Sequence, residues 1–185
     1  LMATLGIAYF LMGLLLSAYL RNFAYRGRLL RTQLVVFASL ALAAMVAKAF
    51  LLLTALPVFL FPLGTLAIAV AAHHDRQVAF ATTVVGALVV ALLVPVDLVA
   101  ALVLLMQGLG AVMVLRRRPI RQRFMVLSGV GGGVAAALAY AALYFLLQGR
   151  LPADDPTSLL SSGLLATLAG GALSGALSPM ISPLL

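Results

Sequence analysis

The feature that most restricts this chain is a series of long apolar runs, none of which alternates polar with apolar positions. A helix that crosses the ~30 Å hydrocarbon layer of a bilayer needs about 20 apolar residues. In lipid every backbone polar group must find an internal partner, so only helices and closed barrels can span it. Barrel strands would read as alternating segments of about ten residues, and these runs do not. Composition agrees: 65% of the 185 residues are hydrophobic and 9% are charged, against roughly 25% charge in a soluble domain. The expected fold is an all-α integral membrane bundle that takes in residues 1–185 as one domain.

The runs lie at about residues 1–20, 32–53, 58–72, 78–94, 98–115, 124–147 and 159–181, which predicts a seven-transmembrane helix bundle. The third run is short, and Pro62 near its start predicts a bend or an interfacial beginning, because proline removes a donor and clashes with the preceding turn. With the fourth run it also reads as a re-entrant hairpin. Sidedness comes from charge. The loops after the first, third and fifth runs carry four, one and five Lys or Arg, whereas the opposite loops carry only Arg150 beside Asp97, Asp154 and Asp155. Basic residues stay on the cytoplasmic side, so the expected N-terminus is outside and the C-terminus cytoplasmic.

The densest basic group is Arg116, Arg117, Arg118, Arg121 and Arg123, five of the twelve Lys and Arg within eight positions. It is expected to rest on anionic lipid headgroups, at roughly 1 kcal/mol per basic residue near the surface, and to be a docking place for any cytoplasmic domain. Nucleic acid is not the expected partner despite the net charge of +8, since no basic stretch is interleaved with aromatics. The absence of Cys excludes disulfides, thiolate metal sites and cysteine nucleophiles. Leu1 is not a start methionine and no signal peptide of the usual form opens the chain, so a piece of a longer protein is expected.

Few residues offer chemistry. Lys48 interrupts an apolar run, and an ionisable residue in that setting is a functional hypothesis by default. Snorkelling of its ammonium to the outer headgroups is the competing reading. Asp97, at the outer start of the fifth run, is its natural partner in an anion-binding or ligand-sensing pair, although Asp there also caps a helix. His73, His74 and Asp75 suggest a metal site, but three neighbours in one turn cannot complete a coordination shell and the chain has no other His. A solvated turn is expected instead, and no metal site.

Gly129, Gly131, Gly132 and Gly133 lack the Lys-Ser or Lys-Thr and the preceding strand of a phosphate loop. The spacing Gly129 to Gly133, repeated as Gly171 to Gly175, is that of helices packed through small faces. Such faces also permit a homodimer. Ser174 beside Gly175 has no His at its depth to serve as an intramembrane protease, so the hydroxyls at 161, 162, 167, 174 and 178 are expected to bond to backbone or across the bundle.

Three segments together resemble the membrane domain of the bacterial seven-transmembrane receptors with an intracellular HD hydrolase (7TMR-HD). PVFLFPLGTLAIAVAAHHDRQVA, from Pro57 to Ala79, is similar to that family's outer proline, apolar helix and Asp-x-x-x-Ala turn. QGLGAVMVLRRRPIRQRFMVLSGVGGGVAAAL, from Gln107 to Leu138, resembles its fifth helix, basic loop and glycine-rich sixth helix. LLATLAGGALSGALSPMISPLL, from Leu164 to Leu185, resembles its small-residue seventh helix and Pro-Leu exit.

The resemblance implies an extracellular sensory domain before the bundle and a metal-dependent HD phosphohydrolase acting on cyclic di-AMP after it. It implies a divalent metal there and no cofactor in this chain. The family's catalytic His and Asp belong to that following domain, so none is carried onto His73, His74 or Asp75, and the His73-His74 pair stands where the family more often has apolar residues leading into its Asp turn.

On this reading the chain is a sensor and transducer in a bacterial inner membrane. Changes in helix packing would pass through the seventh run, with Pro179 and Pro183 setting its exit geometry. Two other classes stay open: a small transporter or substrate-capture subunit, which would need polar residues converging inside the bundle, and a membrane enzyme, which would need two titratable groups at one depth.

Overall fold

The computed structural model describes residues 2–23, 29–54, 56–93, 98–115, 122–148 and 163–182. Among them are seven α-helices: α1 (Met2–Phe23), α2 (Leu29–Leu53), α3 (Leu63–His73), α4 (Arg76–Leu93), α5 (Leu98–Val114), α6 (Gln122–Gln148) and α7 (Leu164–Ile181). A 3-10 turn, Val58–Leu60, precedes α3. The stretches Leu30–Leu53, Arg76–Leu93, Gln122–Leu146 and Leu164–Ile181 are each long and apolar enough to cross a membrane, while Val58–His73 and Leu98–Val114 are apolar but shorter.

The helices are apolar on both sides, which is why they form a bundle for lipid rather than for water. On α2, Val36, Leu40 and Ala47 are buried at helical spacing, while Leu34, Leu42, Met45, Leu52 and Leu53 are exposed. Water would penalise such exposure at about 25 cal/mol per Å²; hydrocarbon does not. Leu16 and Leu20 of α1 join the α2 stripe in one cluster with Phe61, Leu63 and Leu66 of the α3 region and Val78, Ala87 and Val90 of α4.

The centre of the bundle is α3. Every residue from Leu63 to Val70 is buried, so this helix is wrapped on all faces, in contact with α2, α4, α5, α6 and α7. At 1.5 Å per residue its 11 residues rise only ~16 Å, about half of the hydrocarbon layer. The expected third helix from residue 58 is therefore divided. Pro57 and Pro62 bracket the 3-10 turn, whose bonds run from Leu60 N–H to Pro57 O (3.0 Å) and from Phe61 N–H to Val58 O (3.0 Å), and α3 begins only afterwards. Aromatic contacts pin the break: Phe61 tilts against Phe50 of α2 (6.1 Å between centroids), and Phe59 meets Tyr140 of α6 edge-on (5.2 Å).

Hydroxyls deal with the backbone where helices are interrupted. Pro179 lies inside α7 and has no N–H for the carbonyl four residues back, that of Gly175. Ser178 Oγ donates to this same Gly175 oxygen at 3.0 Å. Ser174 Oγ bonds back to Gly170 O at 2.8 Å and Thr167 Oγ1 to Leu164 O at 2.8 Å. Ser161 and Ser162 lie outside the described residues.

Candidate functional site

Three helix ends meet at one end of the bundle, through the turn between α3 and α4. His73 Nε2 lies 2.6 Å from the backbone oxygen of Ser182 and 3.1 Å from its hydroxyl, at the last turn of α7. A carbonyl only accepts, so this nitrogen carries the proton and donates. Arg76 Nη2 donates to the carbonyl of Leu115, just past α5. Both groups meet the negative, carbonyl-rich end of another helix, where a donor or a cation is favoured. The expectation of a solvated turn fits Asp75 and Gln77, which are exposed. His73 is exposed too, but it and Arg76 also bond to other helices, which sequence does not show, because it gives the polarity of a turn and not which helix ends lie against it.

His74, next to His73, is partly buried. Burial first, and then the neighbouring charges of His73 and Arg31, hold its pKa below the ordinary 6.5, with the Asp75 carboxylate acting the other way. An unfolded chain takes up this proton near pH 6.5, whereas the folded protein resists it until a lower pH. The contribution to stability is therefore complete above about pH 6.5 and is lost as pH falls through the depressed value. Thermal unfolding of the purified protein should show a midpoint that drops between about pH 7.5 and about pH 5.5, and His74→Gln should flatten that drop. An equal drop in the variant would assign the effect to another group.

Among the described residues, α6 and α7 approach to backbone contact. A Cβ added to Gly129 would fall on the backbone N and Cα of Gly175, and one added to Gly171 would fall on Gly133. A Cβ on Gly175 would stand 2.6 Å from Val126 O. The four glycines thus face one another across a single seam. α6 is held on its other side by α5, where Ser128 Oγ donates to Ala111 O and a Cβ on Gly110 would lie 2.6 Å from Ala135 Cβ. α7 also touches α3: Thr65 Oγ1 donates to Ser174 O at 3.3 Å, and a Cβ on Gly64 would be 3.0 Å from Ser174. Through His73 and this seam, α7 is bound to the bundle along its length, with backbone contact on one face and a side-chain tie at the end.

Deeper in, Gln107 of α5 is 1% exposed, and neither its Nε2 nor its Oε1 has a hydrogen-bond partner. Leaving such an amide unpaired costs on the order of 1–3 kcal/mol. It faces Gly170 of α7 and the 3-10 turn.

The other sequence candidates are placed as follows. Lys48 is exposed on α2, five residues from its end, among the exposed apolar side chains of that face. This position suits an ammonium reaching along its own stem toward the headgroups. Lys48→Leu should leave stability within about 0.5 kcal/mol of the parent, as for surface changes generally, in a denaturation series in detergent; a larger loss would reveal a partner. Asp97 lies outside the described residues, as do Arg116, Arg117, Arg118, Arg121 and Pro183, while Arg123 is exposed in the first turn of α6. Among the described residues no three His, Cys, Asp or Glu side chains are grouped for a metal ion.

No curated relative and no solved structure matches the chain. The profile of one family, "7TM receptor with intracellular HD hydrolase", matches residues 1–185, the full length. A bundle of apolar helices with a wrapped, half-length α3 and a glycine-sealed α7 is thus a membrane domain, and the chain belongs to the family of 7TM receptors with an intracellular HD hydrolase.

Proposed function

We propose that this chain is the sensing and transducing membrane domain of a bacterial receptor that controls a cytoplasmic HD phosphodiesterase acting on cyclic di-AMP. In this reading the chain crosses the inner membrane seven times, the third time through the 3-10 turn and α3 together, with the N-terminus outside. α7 leads into the hydrolase, where a divalent metal would reside, and an extracellular domain precedes α1. The single observation that carries the proposal is the tie between His73 and Ser182 at the end of α7. A helix whose last turn is held by the turn between two other helices reports any change in their packing to whatever follows it. Family membership supports the kind of output, and the basic residues support the orientation, since Arg31, Arg76 and Arg123 lie in the first turns of α2, α4 and α6, at the same end as Ser182.

The test uses the full-length receptor in native membranes. Cyclic di-AMP hydrolysis should be present and should change at least several-fold when the membrane domain is exchanged for an unrelated span joined at the same point. Equal hydrolysis with either membrane segment would show that the bundle only anchors. Hydrolysis of a different cyclic dinucleotide in preference would keep the transducer and replace the substrate.

A further inference from the structure

Neighbouring helices of this bundle are held together in two different ways. From α3 to α7 they meet through glycine. A Cβ on Gly132 of α6 would fall on the Gln107 carbonyl of α5, one on Gly129 would fall on the backbone of Gly175, and one on Gly108 of α5 would strike Thr83 of α4. α7 also closes on the proline break: a Cβ on Gly170 would stand 2.6 Å from Phe59 O, a carbonyl that Pro62 leaves without its helical donor. Side chains add bonds to the backbone of another helix, from Ser128 to Ala111 O and from Thr65 to Ser174 O, and Arg76 of α4 binds Leu115 O just past α5.

α1 and α2 are attached differently. α1 rests on α4 and α2, and α2 on α4 and α3. α2 contains no glycine. In α1, a Cβ on Gly6 would have nothing within 4 Å, and one on Gly13 would meet the Phe37 ring at 3.7 Å. Where α2 reaches α4, side-chain tips stand over Gly86: Leu40 Cδ2 would be 3.4 Å from a Cβ there, beside Leu66 Cδ2 of α3 at 3.3 Å. Tyr9 Oη donates to Val89 O of α4 at 3.4 Å, against about 2.7–2.8 Å for a typical O–H···O bond. Leu16, Leu20 and Val36 complete an apolar contact.

In lipid this difference decides what can move. Lipid tails are as apolar as leucine, so burying Leu16 or Val36 against α4 gains little, and helices associate through close packing and hydrogen bonds. Backbone pressed on backbone cannot slide without separating the helices. Leucine tips can, by changing rotamer.

We propose that α1 and α2 form a mobile layer that slides on α4 and α3, while α3 to α7 stay fixed as one unit. The slip surface is the leucine contact over Gly86. Arg31, in the first turn of α2, is close enough to the α3–α4 turn for its charge to act on His74, so a displacement of the layer is felt beside the tie that holds α7. The inference rests on helix packing and not on the proposed output.

The test uses the purified chain in lipid nanodiscs. It has no cysteine, so spin labels can be set on cysteines introduced at pairs of exposed residues. Leu34 of α2 with Leu127 of α6 spans the slip surface, and Met180 of α7 with Leu127 lies within the fixed unit. The distance distribution of the first pair should be wider than that of the second by at least about 2 Å, the upper size of shifts between packed helices. Equal widths would overturn the proposal, and so would a broader distribution for the second pair. Where a labelled variant does not fold, Leu42 with Leu138 and Leu165 with Leu138 make the same comparison further along the bundle.

Discussion

Leucine at position 171 will force α6 and α7 apart and leave a bundle at least about 3 kcal/mol less stable, at the upper end for overpacked sites. The size follows from what lies opposite. A Cβ on Gly171 would meet the Cα and N of Gly133, with Gly129 O at 2.8 Å. These are backbone atoms, which cannot rotate away as a side chain would, so the two helices must separate along their length. Gly129→Leu should do the same from the other side. Gly6→Ala is the control, since nothing lies within 4 Å of a Cβ there. Denaturation in detergent followed by circular dichroism checks the pattern. A variant at 171 as stable as the one at 6 would mean that α6 and α7 are not in backbone contact.

The second large effect is expected from His73→Ala in the full-length receptor. The substitution removes the donor to Ser182 O and the contact with its hydroxyl, a loss of about 1 kcal/mol in stability for one partly exposed hydrogen bond. Its effect on output should be larger than that figure suggests. The last turn of α7 would be freed from the α3–α4 turn while the glycine seam remains intact, so the signal-dependent change in hydrolysis should fall at least several-fold, with basal activity and insertion retained. His73→Gln, which can still donate an N–H, should restore part of the response. If both variants respond as the wild type does, coupling does not pass through His73, whatever the hydrolase acts on.

The membrane bundle was legible because apolar length and loop charge are properties of the chain itself. So was the pairing of small residues: four-residue glycine spacing marks a helix face, and Gly129, Gly133, Gly171 and Gly175 were singled out on that ground. That these faces meet each other, and not a neighbour or a second copy, needed the structure. Pro62 announced a disturbance, but not that the helix would begin beyond it at Leu63 and be buried on every side as far as Val70. Gln107 was visible as a polar residue in an apolar run; its isolation depends on what the proline break and Gly170 place beside it. His73 is exposed, as a solvated turn requires, but its bond to another helix was not legible. Its neighbours in sequence are polar, whereas its partner, Ser182, is 109 residues away.

The half-length α3, enclosed from Leu63 to Val70, also bears on how the protein is made. Helices of about 20 apolar residues can enter the bilayer one at a time and pack later, each stable in lipid by itself. α3 and its proline break do not meet that condition: they are too short, and they expose a carbonyl that only a protein surround can shelter. Most of the shelter comes from α4, α5 and α7, all synthesised after it. Biogenesis therefore cannot be strictly sequential. The segment from Pro57 to His73 must wait, at the membrane surface or beside the insertion machinery, until the C-terminal helices arrive, and the α6–α7 glycine seam becomes an assembly step on which the burial of α3 depends.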